Sequence, residues 1–355
     1  MNILESTVKV QHTSQSRLHQ VDMNHIPFGK IFSDHMVVAH YRNGKWEQPE
    51  IVPYGPLALT PAVSSLNYGQ SVFEGMKAFR SIDGEPLLFR PQENFRRINR
   101  SAARLCMPQI PEDLFMDSLR ELIRLDEKWI PTKEQGSLYI RPLYFATDEF
   151  IGVKASESYV LTMFTCPVGP YYSEPVSLLA SKEFIRAAIG GTGAAKAAGN
   201  YASAMLPDKL AKAKGYNNVL WLDAQHHHYV EECGTMNIFF VIDGVVITPS
   251  LTGTILQGIT RNSALKVLRQ SGYQVEERPI SIYEVQAAYY DGRLQEAFGA
   301  GTAATISHIA KIGFAGEDMI LPEVEDRKVG PWLGGKLERI KFGIDEDPYG
   351  WVVKA

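Results

Sequence analysis

The sequence predicts a mixed α/β protein with substantial antiparallel sheet, arranged in two domains. Three observations lead there. Asn43-Gly44, Asp83-Gly84 and Asp243-Gly244 each lie between a pair of strand-prone runs, and an Asn-Gly or Asp-Gly step in that setting is the strongest short-range signal for a hairpin. Antiparallel hairpins spread along the chain argue against a doubly wound parallel sheet, and the helical patterns interleaved with them make the class mixed α/β. The chain has 355 residues, long enough for two cores.

Taken in order, "MNILESTVKVQHTSQSRLHQVD" opens the chain without the apolar stretch of a signal peptide, so residues 1–30 read as a polar, frayed leader. A smaller N-terminal α/β domain is expected over 31–169. Within it, residues 91–106 open with Pro91 and set Phe95, Ile98, Ala102 and Leu105 on one side, which predicts a helix. Residues 112–129 carry Leu114, Phe115, Leu119, Leu122 and Ile123 and stop before Pro131, a second helix. Pro167, Gly169, Pro170 and Pro175 crowd between two β-like runs, so a linker is expected over 170–175. The larger C-terminal domain is then 176–355. It should hold a helix-prone segment over 200–214, kinked or divided at Pro207, and a helix from Ile259 to Gln270 stopped by Gly272.

Bulk chemistry excludes several function classes. Hydrophobic residues make up 45% and charged ones 21%, with a formal net charge of −4. No basic field points to nucleic acid or an anionic membrane, and no apolar run approaches the roughly 18 residues of a membrane span. Cys106, Cys166 and Cys233 lie far apart and form no C-x-x-C, so three buried thiols in the cytoplasm are expected rather than disulfides or a zinc cage. His226, His227 and His228 lie between strand-like runs. Successive strand residues alternate faces and cannot converge on one ion, so no metal is expected there.

The stretch "IGGTGAAKAAGNY" (189–201) surrounds Lys196 with glycines and alanines. A nucleotide phosphate loop needs Gly before the lysine and Ser or Thr after it; Ala195 and Ala197 stand there instead. A lysine acts as a nucleophile when its amine is partly neutral, which burial or a nearby cation promotes. Small neighbours let a flat carbonyl partner approach, and glycines allow backbone angles closed to other residues. On composition alone, a flexible surface loop fits equally well.

Seven ordered blocks shift that balance: "LNYGQSVFEGMKAFR" (66–80), "LFRPQENFRRINRSA" (88–102), "SLYIRPLYFATDE" (137–149), "GGTGAAKAAGNYA" (190–202), "EECGTMNIFFV" (231–241), "GTILQGITR" (253–261) and "EAFGAGTAATISHI" (296–309). Together they resemble the class IV pyridoxal-phosphate aminotransferases, most closely the branched-chain amino acid aminotransferases. The resemblance implies fold type IV, with pyridoxal 5′-phosphate between two α/β domains and a homodimer as the basic unit. It assigns Lys196 as the catalytic residue, the Schiff-base partner of the cofactor and its proton shuttle. Tyr201 matches the tyrosine on the cofactor's phenolic oxygen, and Glu232 the carboxylate beside the pyridine nitrogen. Thr235 falls among the cofactor-binding positions. Ile259 and Thr260 match the phosphate cup, where free amides of a helix start suit an anion. Thr302 adds a hydroxyl and an amide, and Arg97 matches the phosphate-pairing arginine. Without the resemblance, Glu232 would read as a solvated strand-edge carboxylate beside Glu231. Arg96, Arg97, Arg100 and Arg104 would read as a solvated basic face.

The implied reaction is a ping-pong transamination between L-leucine, L-isoleucine or L-valine and 2-oxoglutarate, giving branched-chain 2-oxo acids and L-glutamate. Tyr68, Phe73, Tyr139 and Tyr171 match the aromatic pocket for the branched side chain, positions that would otherwise be ordinary core. Arg141 matches an arginine near the γ-carboxylate end, and the amides of Thr302 and Ala303 are expected on the α-carboxylate. The C-x-x-C that some members carry is replaced by Ala304, Thr305, Ile306 and Ser307, so no thiol switch is expected there. The rival readings are a D-amino acid aminotransferase or aminodeoxychorismate lyase of the same class and, more distantly, a non-catalytic oligomeric binding protein. Preference among the three amino acids, and a biosynthetic against a degradative role, are not written in the sequence.

Overall fold

The computed structural model describes residues 8–169 and 174–355. Two compact units emerge: the first is Met1–Tyr171, Ala195–Gly199 and Arg339–Ala355, the second Tyr172–Ala194 and Asn200–Glu338. The expected C-terminal domain over 176–355 is therefore corrected. Its last residues return to the first unit because Val352–Lys354 pairs antiparallel with Pro86–Phe89, and the Arg90 amide donates to the Trp351 carbonyl at 2.7 Å. Of the linker expected over 170–175, residues 170–173, Tyr171 among them, lie outside the described residues.

Among the described residues, the first unit carries a ten-stranded sheet. Its order runs Lys9–Val10, Glu50–Pro53, His35–Arg42, Tyr159–Val168, Ser137–Ala146, Met76–Arg80, Pro86–Phe89 and Val352–Lys354. Lys45–Trp46 pairs with His35–Arg42, and Ser71–Phe73 with Ser137–Ala146. The second unit carries a nine-stranded sheet ordered Val230–Cys233, Asn218–Leu222, Val176–Ala180, Thr305–Phe314, Leu294–Gly301, Met236–Ile242, Val245–Thr248 and Val275–Glu277. Glu317–Ile320 pairs with Thr305–Phe314. Most ladders are antiparallel, as the hairpin signals require. Asn43-Gly44 and Asp243-Gly244 each close a two-residue loop with both residues at positive φ. Asp83-Gly84 sits instead in a five-residue loop, where the Ser81 hydroxyl and amide both engage Glu85 and only Gly84 is left-handed.

In the first unit the helix Glu112–Leu125 presents Phe115, Leu119, Leu122 and Ile123 at three- and four-residue spacing. All are buried, in one cluster with Val37, Leu88, Ile98, Leu138 and Ile140. Each such side chain contributes roughly 1.5–3 kcal/mol on burial. The leader is not frayed where it is described. Lys9–Val10 pairs with Glu50–Ile51, Val8 joins the core, and buried Asp34 accepts from the Ser16 hydroxyl at 2.6 Å, the Arg17 amide at 2.9 Å and the Trp129 indole at 2.8 Å. Its polar residues are partners of a buried carboxylate, which composition does not reveal.

The helix that opens at Pro91 ends at Arg104, two residues early. Met107 N–H bonds to Ala102 O and Cys106 N–H to Ala103 O, a Schellman stop with Cys106 left-handed where glycine is usual. Cys106 is consequently exposed, not buried as expected; Cys166 and Cys233 are buried. The helical run over 200–214 divides into Ala198–Ala202 and Met205–Ala213. The break precedes Pro207, which sits in the first turn of the second helix, where its missing N–H costs nothing. The helix Ile259–Gln270 stands as expected, closed by left-handed Gly272. Sequence reading missed Ile282–Tyr290, although Ser281 and Glu284 have capping-box spacing and the Ser281 hydroxyl accepts from the amides of Tyr283 and Glu284.

Candidate active site

In the first unit the lysine-bearing stretch is held by its backbone. Lys196 N–H donates to the Ser101 hydroxyl at 2.9 Å, Phe73 N–H donates to the Lys196 carbonyl at 3.1 Å, and Val72 bridges Ala197. Ala195 and Ala197 are buried while Lys196 is half-buried. The long side chain therefore leaves a fixed base among small neighbours, and the surface-loop reading fails. Its Nζ lies 4.7 Å from the centroid of the Phe73 ring. The Arg141 guanidinium lies 4.6 Å from the same ring and donates to the Tyr139 hydroxyl at 2.9 Å. Two cations thus share one aromatic face system, and Arg141 Nε is buried with no hydrogen-bond partner among the described residues. Tyr68 ends the short helix Ser64–Tyr68 and is 43% exposed.

Gly75 makes this geometry possible, since a Cβ there would lie 2.2 Å from the Tyr139 hydroxyl. The preceding residue, Glu74, is a site residue that sequence reading missed. It is fully buried and takes a fork from Arg97, Nε at 2.6 Å and Nη2 at 2.8 Å, with Asn94 Nδ2 adding a bond at 2.7 Å. Burial pushes the Glu74 carboxyl up, but Arg97, Lys196 and Asn94 bring it below the ordinary glutamate value. The basic-face reading is corrected at one position: Arg96, Arg100 and Arg104 are exposed, whereas Arg97 is 4% exposed. Asn94, Arg97 and Ser101 are buried at helical spacing, a polar stripe whose spacing is visible in the sequence.

In the second unit Glu232 is buried on the strand Val230–Cys233. It pairs with Arg186 Nε at 2.9 Å and accepts from the Leu256 amide at 2.6 Å. It is no solvated edge carboxylate. Arg186, also missed from sequence, donates further to the carbonyls of Thr254 at 2.7 Å and Gly193 at 3.3 Å. Gly193 is needed for that approach, because its Cβ would stand 2.3 Å from the Thr254 oxygen. The glycines of the run thus serve close packing at 193 and positive φ at Gly190, not a phosphate. Asn200 closes the loop on Thr192 through two bonds, at 2.6 and 2.9 Å.

The other expected positions in this unit stand as follows. Tyr201 is half-buried on Ala198–Ala202. Thr235 is exposed in the two-residue turn that joins Cys233 to Met236. Ile259 and Thr260 open a helix whose N-cap, Gly258, provides no side-chain cap, so its first amides remain free to face an anion. Thr302 and Ala303 lie in the three-residue loop between Gly301 and Thr305. Thr305 has φ 60°, a strained setting for a β-branched residue. The His226–His228 turn is organised by Asp223, whose carboxylate accepts four backbone N–H groups, from Gln225, His226, His228 and Tyr229.

Comparison with known proteins gives the family. Residues 71–312 match the family described as amino-transferase class IV. Branched-chain-amino-acid aminotransferase 2 of Bacillus subtilis is 45% identical over 99% of this chain and 98% of its own length. The branched-chain-amino-acid aminotransferase of Mycolicibacterium smegmatis is 40% identical over 92% and 91%. The crystal structure of the branched-chain aminotransferase from Thermoproteus uzoniensis with norvaline superposes with a TM-score of 0.75 at 27% identity, covering 90% of this chain and 99% of that one. That of the T.th. branched-chain amino acid aminotransferase complexed with N-(5′-phosphopyridoxyl)-L-glutamate gives 0.72 at 26% identity, with 89% and 98% covered. The chain belongs to the class IV aminotransferases and, within them, to the branched-chain amino acid aminotransferases.

Proposed function

We infer that the chain exchanges amino groups reversibly between L-leucine, L-isoleucine or L-valine and 2-oxoglutarate, with pyridoxal 5′-phosphate as cofactor. The observation that carries this is 45% identity to a branched-chain aminotransferase over nearly the whole chain. The residues present fit the cofactor: a fixed lysine among buried alanines, a buried carboxylate held by an arginine, and a helix start without a side-chain cap. When bound, the cofactor supplies an electron sink for the charge that develops at the substrate α-carbon.

The chain's own groups do the rest. Lys196 Nζ holds the cofactor and moves the proton at the α-carbon, with Ser101 and Phe73 fixing the backbone beneath it. Glu232, anchored by Arg186, holds a proton on the ring nitrogen. Arg97, Ile259, Thr260 and Thr302 bind the phosphate, Tyr201 the phenolic oxygen, and Thr235 supports the cofactor side. Thr302 and Ala303 orient the α-carboxylate. Tyr68, Phe73, Tyr139 and Tyr171 receive the branched side chain. Arg141, whose buried Nε has no hydrogen-bond partner among the described residues, takes the γ-carboxylate of 2-oxoglutarate or glutamate, so one pocket serves both substrates in turn. The exposed Phe150, Ile151 and Val153 are a hydrophobic patch of the kind a homodimer covers. Among the described residues no helix is long and apolar enough to cross a membrane; a cytoplasmic enzyme is the matching proposal.

Steady-state transamination with a panel of L- and D-amino acids and 2-oxoglutarate tests the assignment. Turnover of the three branched L-amino acids is expected; turnover of D-alanine without L-leucine would sink it. Gly75→Ala is expected to displace Tyr139 and, with it, the Arg141 contact. The KM for 2-oxoglutarate should rise about tenfold, more than that for leucine, as befits one lost hydrogen bond to a charged group.

A further inference from the structure

Glu231 and Glu232 are neighbours on one strand and so point to opposite faces. Glu232 is fully engaged; Glu231 is not. Glu231 is only 6% exposed. Its Oε1 accepts from the Thr254 hydroxyl at 2.5 Å, while Oε2 is buried with no hydrogen-bond partner among the described residues. A buried acceptor left empty is costly, which makes this oxygen a place for a donor from outside.

Glu231 lines a cavity of about 540 Å³ formed wholly within the second unit, a volume ordinary for a small-ligand site. Ile189, Val230, Pro249 and Ile255 give it an aliphatic wall, and Asp223 joins Glu231 on the polar side. Among the described residues no lysine or arginine lines it, and His226 is its one basic side chain. We propose that this cavity is a second ligand site, for an aliphatic ammonium ion whose N–H donates to Glu231 Oε2. Anionic oxo acids and amino-acid carboxylates meet no lysine or arginine there, which separates this ligand class from the substrates. The site stands on the second unit's geometry alone, independently of the cofactor and substrate assignments.

Titration supports the same chemistry. Burial, with a further push from the Glu232 charge, raises the Glu231 carboxyl to about 7, against the pull of Thr254 and Arg186; Asp223 adds a small push upward. Asp223 itself is held below its ordinary value, its burial outweighed by the four N–H bonds it accepts. Of the two carboxylates on this wall, Glu231 is thus the one that changes charge near neutrality. A cation requires it ionised, so affinity rises with pH through that range.

The test is calorimetric titration of the holoenzyme with N,N-dimethyl-3-methylbutylamine, a tertiary ammonium that cannot condense with an aldehyde. One site is expected, about tenfold tighter at pH 8 than at pH 6 and unaffected by saturating 2-oxoglutarate. Glu231→Gln should weaken binding at least tenfold and flatten the pH dependence. Ala188→Phe, at an exposed position on the lining, should weaken binding with the carboxylate intact. The proposal is overturned by no binding to wild type up to on the order of 10 mM, by equal affinity at pH 6 and pH 8, by competition from 2-oxoglutarate, or by wild-type affinity in both variants.

Discussion

Lys196→Ala should lower kcat for leucine with 2-oxoglutarate by about four orders of magnitude or more while leaving the fold in place. The loss follows from the two functions proposed for one amine, covalent attachment of the cofactor and transfer of the α-proton; proton transfer alone is worth about 10²–10⁴. The fold should survive because the stretch is fixed by backbone bonds to Ser101 and Phe73, which alanine keeps. The losses to the resting structure include the Nζ contact with the Phe73 ring, worth about 0.5–1 kcal/mol, and a positive charge near Glu74. Thermal unfolding should therefore move by only a few degrees, and borohydride treatment should no longer trap the cofactor on the peptide that carries residue 196. A loss of less than a hundredfold would place the proton transfer elsewhere.

Glu74→Ala should cause the largest loss of stability among single changes near the site. It leaves the Arg97 guanidinium buried without its fork partner, a change that costs about 3–5 kcal/mol and lowers the unfolding midpoint by roughly 10 °C. The double change Glu74→Met with Arg97→Met should recover much of that, since an apolar pair of similar volume avoids desolvating two charges. Phosphate affinity, and with it cofactor retention, should not recover. Acidity gives a second check. Because the folded Glu74 carboxyl lies below its ordinary value of 4.5, its contribution is fully present above that pH and is lost as pH falls through the folded value. The stability difference between wild type and Glu74→Gln should accordingly narrow only in strong acid.

What the sequence disclosed, and what it withheld, divides along the range of the interactions. Asn43-Gly44 and Asp243-Gly244 are legible because the φ preferences of two adjacent residues decide the turn. The helix Ile259–Gln270 is legible because its period and its Gly272 stop are local as well. Lys196, Phe73, Tyr139 and Arg141 follow from the family's blocks, and the first unit sets Lys196 and Arg141 over the Phe73 ring, with Tyr139 bonded to Arg141. Glu74 and Arg186 escape because each owes its importance to a buried partner distant in the chain, Arg97 for one and Glu232 for the other. The order of the leader's described residues escapes for the same reason: Asp34 makes polar residues 16 and 17 structural. Glu231 reads only as the companion of Glu232, since an empty acceptor inside a cavity has no signature in one dimension.

The assignment of Ala195–Gly199 and Arg339–Ala355 to the first unit bears on how the gene can be divided. A fragment ending near residue 170 would lack the edge strand that covers Pro86–Phe89 and the bridge between Val72 and Ala197. It would leave the ribosome with an open sheet margin, which residues 339–355 close only later. Folding of the first unit is thereby tied to the synthesis of residues 339–355, long after Lys196 itself has been made.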